Sequence, residues 1–229
     1  MPEYVLELKN ITKVFPGVKA LDKVQFNLKP GEIHALMGEN GAGKSTFIKI
    51  ITGVHCQDEG EIYFNGQKID IKGPNDAKKM GIAAIYQHVT CYPDLSVTEN
   101  IFMGHEKTKR FTKRILWDEM HSEARKLLNE LGTDIDPRTQ MGALSVAQQQ
   151  LVEIAKALSI NAKIIIMDEP TAALTKKESE ELYRVTEQLR DNGVSIIFIS
   201  HRLEDMFRLA DRVSVLRDGK YIGTWNVKD

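Results

Sequence analysis

The stretch Gly38-Glu39-Asn40-Gly41-Ala42-Gly43-Lys44-Ser45-Thr46 decides the fold. It follows an apolar run at residues 33–37 and precedes a second at residues 47–51, which predicts the order strand, glycine loop, helix. That order matches G-x-x-x-x-G-K-[ST], a loop whose backbone N–H groups, together with the next helix N-terminus, surround phosphate oxygens. In this motif Lys44 reaches the β- and γ-phosphates and the Ser45 hydroxyl binds Mg²⁺. A glycine-rich turn with an incidental lysine is the alternative, and the readable flanking strand and helix favour nucleotide binding.

The bulk composition indicates a compact domain and argues against a broad nucleic-acid surface. The chain has 229 residues, of which 42% are hydrophobic, enough to form one core. Lys and Arg number 31 against 32 Asp and Glu, so no basic excess is available for a polyanion, although a local patch remains possible. No apolar run approaches the roughly 18 residues of a membrane span, and residues 1–4 do not resemble a signal peptide. Cys56 and Cys91 lack C-x-x-C spacing, which predicts reduced, buried thiols in a cytosolic protein.

The segments around the glycine loop predict an antiparallel sheet. Residues 4–8 and 24–28 alternate apolar and polar side chains, the period of half-buried strands, and Asn65-Gly66 predicts a tight hairpin turn. Phe15 lies in a predicted loop at residues 15–18. Its ring is either a platform for a flat base near the phosphate site or a small hydrophobic plug.

Residues 82–86 predict a buried strand, and Gln87 follows it where α/β sheets bind their ligands. A side-chain amide at this edge can contact Mg²⁺ or a water. From there to about residue 160 the pattern is helical, and it begins with a capping box at residues 96–99. The basic run at residues 107–114 is interpreted as a solvated face. The apolar side chains of residues 91–95 and 102–103 face either a partner or the core.

Ser145 and Gln148 form a second capping box and open another predicted helix. The first N–H groups of that helix could receive an anion. From the residues alone, an ordinary capped helix is the better interpretation.

A continuously apolar strand at residues 163–167 ends in Asp168 and Glu169. Asp168 is expected to hold Mg²⁺ directly or through water, and Glu169 to orient and deprotonate the attacking water. The alternative is a pair of surface acids that solubilise a strand end. His201 follows another apolar strand at the same predicted sheet edge and could donate a hydrogen bond to the γ-phosphate.

Taken together, these motifs resemble the nucleotide-binding domains of ATP-binding cassette (ABC) transporters over nearly the whole chain. In the terms of that family, Phe15 is the A-loop aromatic, residues 38–46 are Walker A, Gln87 is the Q-loop and residues 144–148 are the signature. Residues 164–169 are Walker B, residues 171–175 are the D-loop region and His201 is the switch histidine.

The resemblance implies an α/β fold: a P-loop NTPase (RecA-like) core with an antiparallel β-subdomain and an inserted α-helical subdomain. Residues 1–229 would be a single ABC ATPase domain. Within it, residues 1–86 and 160–229 form the ATP-binding core with the β-subdomain, and residues 87–159 form the helical subdomain that carries the signature.

The resemblance also implies how the protein works. Two such domains, in a homodimer or a tandem protein, sandwich two ATP molecules with Mg²⁺, so that Ser145, Gln148 and the backbone at residues 146–147 act in trans. Dimer closure would drive integral membrane permease subunits at the cytoplasmic face of the membrane, with the helical insert and the Q-loop edge as the docking face. A periplasmic or extracellular sugar-binding protein would be an indirect partner, and nucleic acid would not be one.

Three stretches look most like the cassettes of ribose/galactose-type sugar importers, which usually carry two cassettes in tandem. They are residues 15–21, residues 144–150 and residues 170–175. Two departures from the usual pattern stand out: Val146-Ala147 replaces two signature glycines, and Thr175 replaces the D-loop aspartate. They keep open the alternative of an ATP-binding regulatory half-cassette with weak hydrolysis, while a ribosome- or DNA-directed cassette is less favoured.

Overall fold

A computed structural model describes residues 3–87 and 91–227, and these fall into two compact units. The first comprises Met1–Ala84, Ala162–Glu169 and Thr186–Asp229, and the second comprises Ile85–Asn161 and Pro170–Val185. From the sequence, residues 170–185 were expected in the core segments instead, and the predicted subdomain division remains a prediction.

The first unit begins with an antiparallel sheet. Its strands are β1 (Leu6–Phe15), β2 (Val18–Leu28), β4 (Glu59–Phe64) and β5 (Gln67–Ile69), in the order β2-β1-β4-β5. Asn65 and Gly66 both have positive φ, 50° and 76°, which confirms the predicted hairpin turn between β4 and β5. The first two strands are longer than predicted, because pairing between their ends continues as far as Phe15 and Val18.

A second sheet has six strands: β3 (Ile33–Met37), β6 (Ile82–Ile85), β7 (Ile164–Asp168), β8 (Ser195–Ile199), β9 (Arg212–Arg217) and β10 (Lys220–Asn226). Their order is β10-β9-β3-β8-β7-β6. β9, β3, β8 and β7 run parallel, while β10 pairs antiparallel to β9. The side chains of β8 are buried throughout, as are all but the last residues of β3 and β7, which explains their continuous apolar sequence. This mixed α/β architecture confirms the predicted fold class.

Two helices of this unit follow strands after short loops. Helix α1 (Lys44–Ile51) follows β3 and the glycine loop, and α2 (Pro74–Lys79) follows β5 and begins at a proline. A third helix, α7 (Leu203–Leu209), was not predicted. It is only seven residues long, and the apolar residues Leu203 and Phe207 are exposed on it, so its sequence does not separate a buried face from a polar one.

The second unit is mainly helical. Its helices are α3 (Val97–Phe102), α4 (Trp117–Glu130), a 3-10 turn (Met141–Ala143), α5 (Val146–Ser159) and the first part of α6 (Lys176–Asp191). Met120, Ala124 and Leu128 form the buried stripe of α4, at the spacing of one helical face. Both predicted capping boxes are present, at Ser96 and Ser145.

Two sequence predictions need correction. Phe15 is not in a loop: it is the last residue of β1 and pairs with Val18 across the turn. The prediction that both cysteines are buried is wrong for Cys56, which is exposed, while Cys91 is half-buried; both are free thiols.

Candidate nucleotide site

Strand register brings the candidate residues of the first unit to one sheet edge. In the parallel ladder Leu36 lies beside Ile199, and Ile199 lies beside Asp168. The glycine loop begins two residues after Leu36, and His201 comes two residues after Ile199. The phosphate loop, the acidic pair and the histidine therefore leave the carboxyl ends of neighbouring strands together.

The glycine loop has no room for side chains at two of its positions. A Cβ on Gly38 would lie 2.5 Å from the Leu216 carbonyl oxygen, and one on Gly43 would lie 2.7 Å from the Ala20 carbonyl oxygen. Gly43 also has a φ of 100°, a left-handed conformation that L side chains disfavour. At these two positions only glycine lets the loop backbone pass this close to the Leu216 and Ala20 carbonyl groups.

The start of α1 is open to an anion. Its N-cap is Gly43, so no side chain caps the first amide groups. Lys44 is buried, and its Nζ donates to the carbonyl oxygens of Gly38 at 2.6 Å and Glu39 at 3.1 Å. Ser45 is exposed in the first helical turn. Uncapped amides, a helix N-terminus and an ammonium group are the elements of a phosphate site.

Asp168 is the half-buried last residue of β7. Burial raises the pKa of the Asp168 carboxyl, the adjacent Glu169 raises it further, and Lys44 opposes both. A half-buried carboxylate beside a second acid favours a bound cation, and the oxygen donors of Asp168 and Ser45 suit Mg²⁺. Within residues 3–87 and 91–227 no group of three or more His, Cys, Asp or Glu forms a metal cluster.

Glu169 has an unusual backbone conformation. Its φ is 50°, and its N–H donates to the Ile199 carbonyl oxygen at 2.8 Å. Its Oε2 lies 3.2 Å from Nδ1 of His201, while the histidine side chain is 59% exposed. This contact fits an imidazole with its proton on Nδ1, since a carboxylate oxygen accepts hydrogen bonds.

Hydrogen bonds of two residues that were not predicted from the sequence stabilise the loop that carries His201. Ser200 Oγ donates to Asp205 Oδ2 at 2.7 Å and accepts from the Arg202 N–H at 3.0 Å. Asp205 is fully buried. A serine directly before the histidine, followed by an acid in the first turn of the next helix, is the signal that could have revealed this contact.

Phe15 has an aromatic neighbour that was also missed. Its ring meets His55 edge-on, with centroids 5.3 Å apart and planes at 68°. Lys13 Nζ lies 5.5 Å from the Phe15 centroid and is held by Asp58 at 2.8 Å. The Phe15 ring is half-buried, so one part of it is available to a flat ligand. Nothing in the local sequence pattern links His55 to Phe15.

The remaining predicted residues, Gln87, Ser145 and Gln148, belong to the second unit. Gln87 is exposed two residues after β6. Ser145 Oγ accepts from the Gln148 N–H at 3.3 Å, and the Ser145 N–H donates to Gln148 Oε1 at 3.0 Å. Next to this cap, the side chain of Val146 is 44% exposed.

Thr175 also serves as a helix cap in this unit. Its hydroxyl and its N–H both donate to Glu178 Oε2, at 2.7 Å and 2.9 Å. The residue that replaces the D-loop aspartate therefore stabilises the start of α6.

Comparison with known proteins agrees with this geometry. The family profile described as "ABC transporter" matches residues 21–172. The chain belongs to the ABC transporter family. A nucleotide-free ATP-binding cassette from an ABC transporter superimposes with a TM-score of 0.87 and 30% identity, covering 97% of this chain and 91% of that one. A dimeric bacterial ABC transporter cassette gives 0.82 at 27% identity, covering 98% of this chain and 99% of that one.

Curated relatives that share about half of their aligned residues with this chain are named for sugar import. The ribose import ATP-binding protein RbsA of Clostridium perfringens is 49% identical over 98% of this chain and 45% of its own length. The xylose import ATP-binding protein XylG of Moorella thermoacetica is 52% identical over 98% of this chain and 44% of its length. The chain thus spans about half the length of the curated relatives it matches. No helix in the described parts of this cassette has both the length and the apolar character to cross a membrane.

Proposed function

We propose that this chain is the ATP-hydrolysing cassette of an ABC importer for a monosaccharide such as ribose, galactose or xylose. The observation that carries the ATPase proposal is the sheet edge where the glycine loop, Asp168, Glu169 and His201 follow neighbouring parallel strands. The sugar class rests on the similarity to the ribose and xylose import proteins.

The phosphates of ATP would bind the loop and the first turn of α1, where Lys44 exchanges its carbonyl contacts for phosphate oxygens. The adenine would stack on the free part of the Phe15 ring. The full proposed phosphate-binding set is Gly38, Glu39, Asn40, Gly41, Ala42, Gly43, Lys44, Ser45 and Thr46.

Mg²⁺ would be held by Ser45 and Asp168, which offer oxygen donors, and the family resemblance adds the amide oxygen of Gln87 as a further donor. When bound, such an ion supplies charge neutralisation at the β- and γ-phosphate oxygens.

Hydrolysis would proceed by attack of water on the γ-phosphorus. Glu169 accepts a proton from that water as the new oxygen–phosphorus bond forms and the bond to the β–γ bridging oxygen breaks. His201, restrained by its contact with Glu169, would donate to a γ-phosphate oxygen. Lys44 would stabilise the charge on the same oxygens.

A second cassette would complete the site, with Ser145 and Gln148 meeting the γ-phosphate in trans. The dimeric cassette to which this chain is similar supports that arrangement. As proposed partners, permease subunits would bring the chain to the cytoplasmic face of the membrane, and a periplasmic or extracellular sugar-binding protein would act through them. The division into a core of residues 1–86 and 160–229 and a helical part of residues 87–159 forms part of this proposal.

Glu169→Gln tests the ATPase proposal. The variant should hydrolyse ATP at least about 100-fold more slowly, because general-base catalysis contributes about 10²–10⁴-fold. Its ATP affinity, measured by calorimetry, should stay close to that of the original chain. Glu119→Gln, an exposed acid on α4, is the matched control and should change neither quantity. Unchanged turnover in Glu169→Gln would remove that residue from the base role.

The sugar proposal needs a separate test with the transporter assembled. The chain would be purified with the products of its neighbouring genes, and hydrolysis measured with ribose, galactose, xylose and unrelated solutes. Stimulation by a monosaccharide supports the proposal. Stimulation only by a solute of another class would contradict the sugar assignment and leave the ATPase proposal standing.

One observation favours a second candidate, an ATP-binding regulatory cassette with weak hydrolysis. Val146 exposes its side chain at the first residue of α5, where the family's glycines leave the backbone open. Restoring glycine at both Val146 and Ala147 discriminates the two. If the double variant releases phosphate much faster at concentrations that form dimers, the natural signature restrains hydrolysis.

A further inference from the structure

The segment at residues 107–116, named the basic hairpin here, is an ordered turn between α3 and α4. Thr108 and Ile115 form an antiparallel bridge. Between them, the Lys109 N–H donates to the Arg114 carbonyl oxygen at 2.9 Å. The backbone therefore fixes which side chains surround the tip.

The basic hairpin has an unbalanced positive charge. It contains five basic residues and no acidic one, although the whole chain has a net charge of −1. Lys107 pairs with Glu123 on α4. In the described ranges 3–87 and 91–227, no acid forms an ion pair with any of the other four. Those four are Lys109, Arg110, Lys113 and Arg114.

An exposed aromatic ring lies among these charges. Phe111, at the tip, is 92% exposed, the highest exposure among the large hydrophobic residues described. Ile115 and Trp117 follow at 39% and 41% exposure, so apolar surface continues from the tip toward α4. Phenylalanine side chains are usually buried in folded proteins, so an exposed one within a larger apolar surface points to a partner.

We propose that the basic hairpin contacts an anionic lipid surface, with Phe111 inserted among the headgroups. Unpaired cations around an apolar tip provide both signals that stable peripheral binding needs, electrostatic attraction and a buried apolar group. The inference rests on the proposed function for the nearness of a membrane, and on the hairpin itself for the chemistry. A single-stranded RNA is the less favoured occupant, because RNA sites combine a basic groove with several stacking rings, whereas this tip carries one ring.

Vesicle co-sedimentation of the full chain without nucleotide tests the proposal. Vesicles of equal parts phosphatidylglycerol and phosphatidylcholine are compared with vesicles of phosphatidylcholine alone. Changing Lys109, Arg110, Lys113 and Arg114 to Gln together should weaken binding to the anionic vesicles at least about 30-fold, since each basic residue near such a surface contributes about fivefold. The matched control changes four exposed lysines elsewhere to Gln and should lose far less: Lys29, Lys72, Lys126 and Lys220.

Phe111→Ser separates insertion from charge attraction. It should weaken binding to anionic vesicles and leave the binding that remains more sensitive to salt, because screening acts on the charges alone. ATP affinity and hydrolysis of both hairpin variants should match those of the original chain. That result separates a failure of this inference from a failure of the proposed ATPase.

Three outcomes would overturn the inference. The first is equal binding to both vesicle types, and the second is equal loss in the hairpin and control quadruple variants. The third is binding to poly(U) that is tighter than binding to anionic vesicles at the same phosphate concentration and that the hairpin changes abolish. That result would identify the hairpin as a nucleic-acid contact.

Discussion

Glu32→Gln should cost the folded chain about 3 kcal/mol at neutral pH, and the cost should disappear in acid. Glu32 precedes β3 with its side chain only 5% exposed. Its Oε2 accepts from the Lys29 N–H at 2.6 Å and from Arg212 Nη2 at 2.9 Å, while its Oε1 accepts from Arg212 Nε. This ion pair joins the start of β3, which leads into the glycine loop, to the start of β9, whose Leu216 carbonyl lies beside Gly38.

The magnitude follows from the pKa of Glu32. Burial alone would raise it, but His34 and Arg212 outweigh burial and lower the pKa from 4.5 to about 2. A difference of about 2.5 units between the unfolded and folded states corresponds to about 3 kcal/mol. Because the folded pKa is the lower one, this stability is present above pH 4.5 and is lost as pH falls toward 2. A glutamine resembles the protonated acid, so the two proteins should converge there.

The assay is urea unfolding followed by circular dichroism at steps between pH 7 and pH 2.5. The free energies of unfolding of the original chain and Glu32→Gln should differ by about 3 kcal/mol at pH 7 and by about 1 kcal/mol or less near pH 2.5. Burial also lowers the pKa of His34. To remove the contribution of that histidine to the pH dependence, both curves are measured again in the His34→Gln background. Glu119→Gln should lie within about 0.5 kcal/mol throughout. A constant offset between Glu32→Gln and the original chain at all pH values would refute this reasoning.

Three further substitutions address the site itself. Gly43→Ala should lower ATP affinity at least about tenfold and destabilise the fold by about 1–3 kcal/mol, because it adds a Cβ against backbone atoms at a left-handed φ. The control Gly73→Ala, in open extended backbone, should change neither quantity. Calorimetry measures the affinity and urea unfolding the stability. Ser200→Ala should remove a donor from the buried Asp205, costing about 1–3 kcal/mol of stability and lowering kcat with ATP affinity retained; equal kcat would contradict this positioning role. His55→Ala should weaken ATP binding about threefold, since a ring contact contributes about 0.5–1.5 kcal/mol. Binding of inorganic tripolyphosphate, which has no adenine, should stay unchanged. Equal weakening of ATP and tripolyphosphate binding would show an effect on the phosphate site instead.

Local chemistry explains which parts of the fold were predictable. The turn with positive φ at Asn65 was readable because Asn-Gly favours that conformation. The capping box at Ser145 was readable because its partner is three residues away. Buried parallel strands were readable from their continuous apolar runs.

Contacts between distant segments were not predictable. The Phe15–His55 ring contact and the Glu32–Arg212 ion pair join residues far apart in sequence, and no local period records them. The length of β1 was missed for a similar reason, because pairing with β2 extends a strand whose own alternation ends early. For the candidate site, the motifs predicted which strand ends carry polar groups, and the register of the sheet brought them to one edge.

The candidate site holds its charged groups in contacts that ATP would have to replace. Lys44 donates to two neutral carbonyl oxygens, and charge-assisted bonds to phosphate are stronger, so the exchange favours the ligand. Glu169 keeps a left-handed backbone that costs about 1–3 kcal/mol, and its N–H bond to Ile199 maintains it. Its carboxylate oxygen Oε2 lies 3.2 Å from His201 Nδ1. The strain therefore occurs at the residue for which precise orientation of a carboxylate toward a water would matter most.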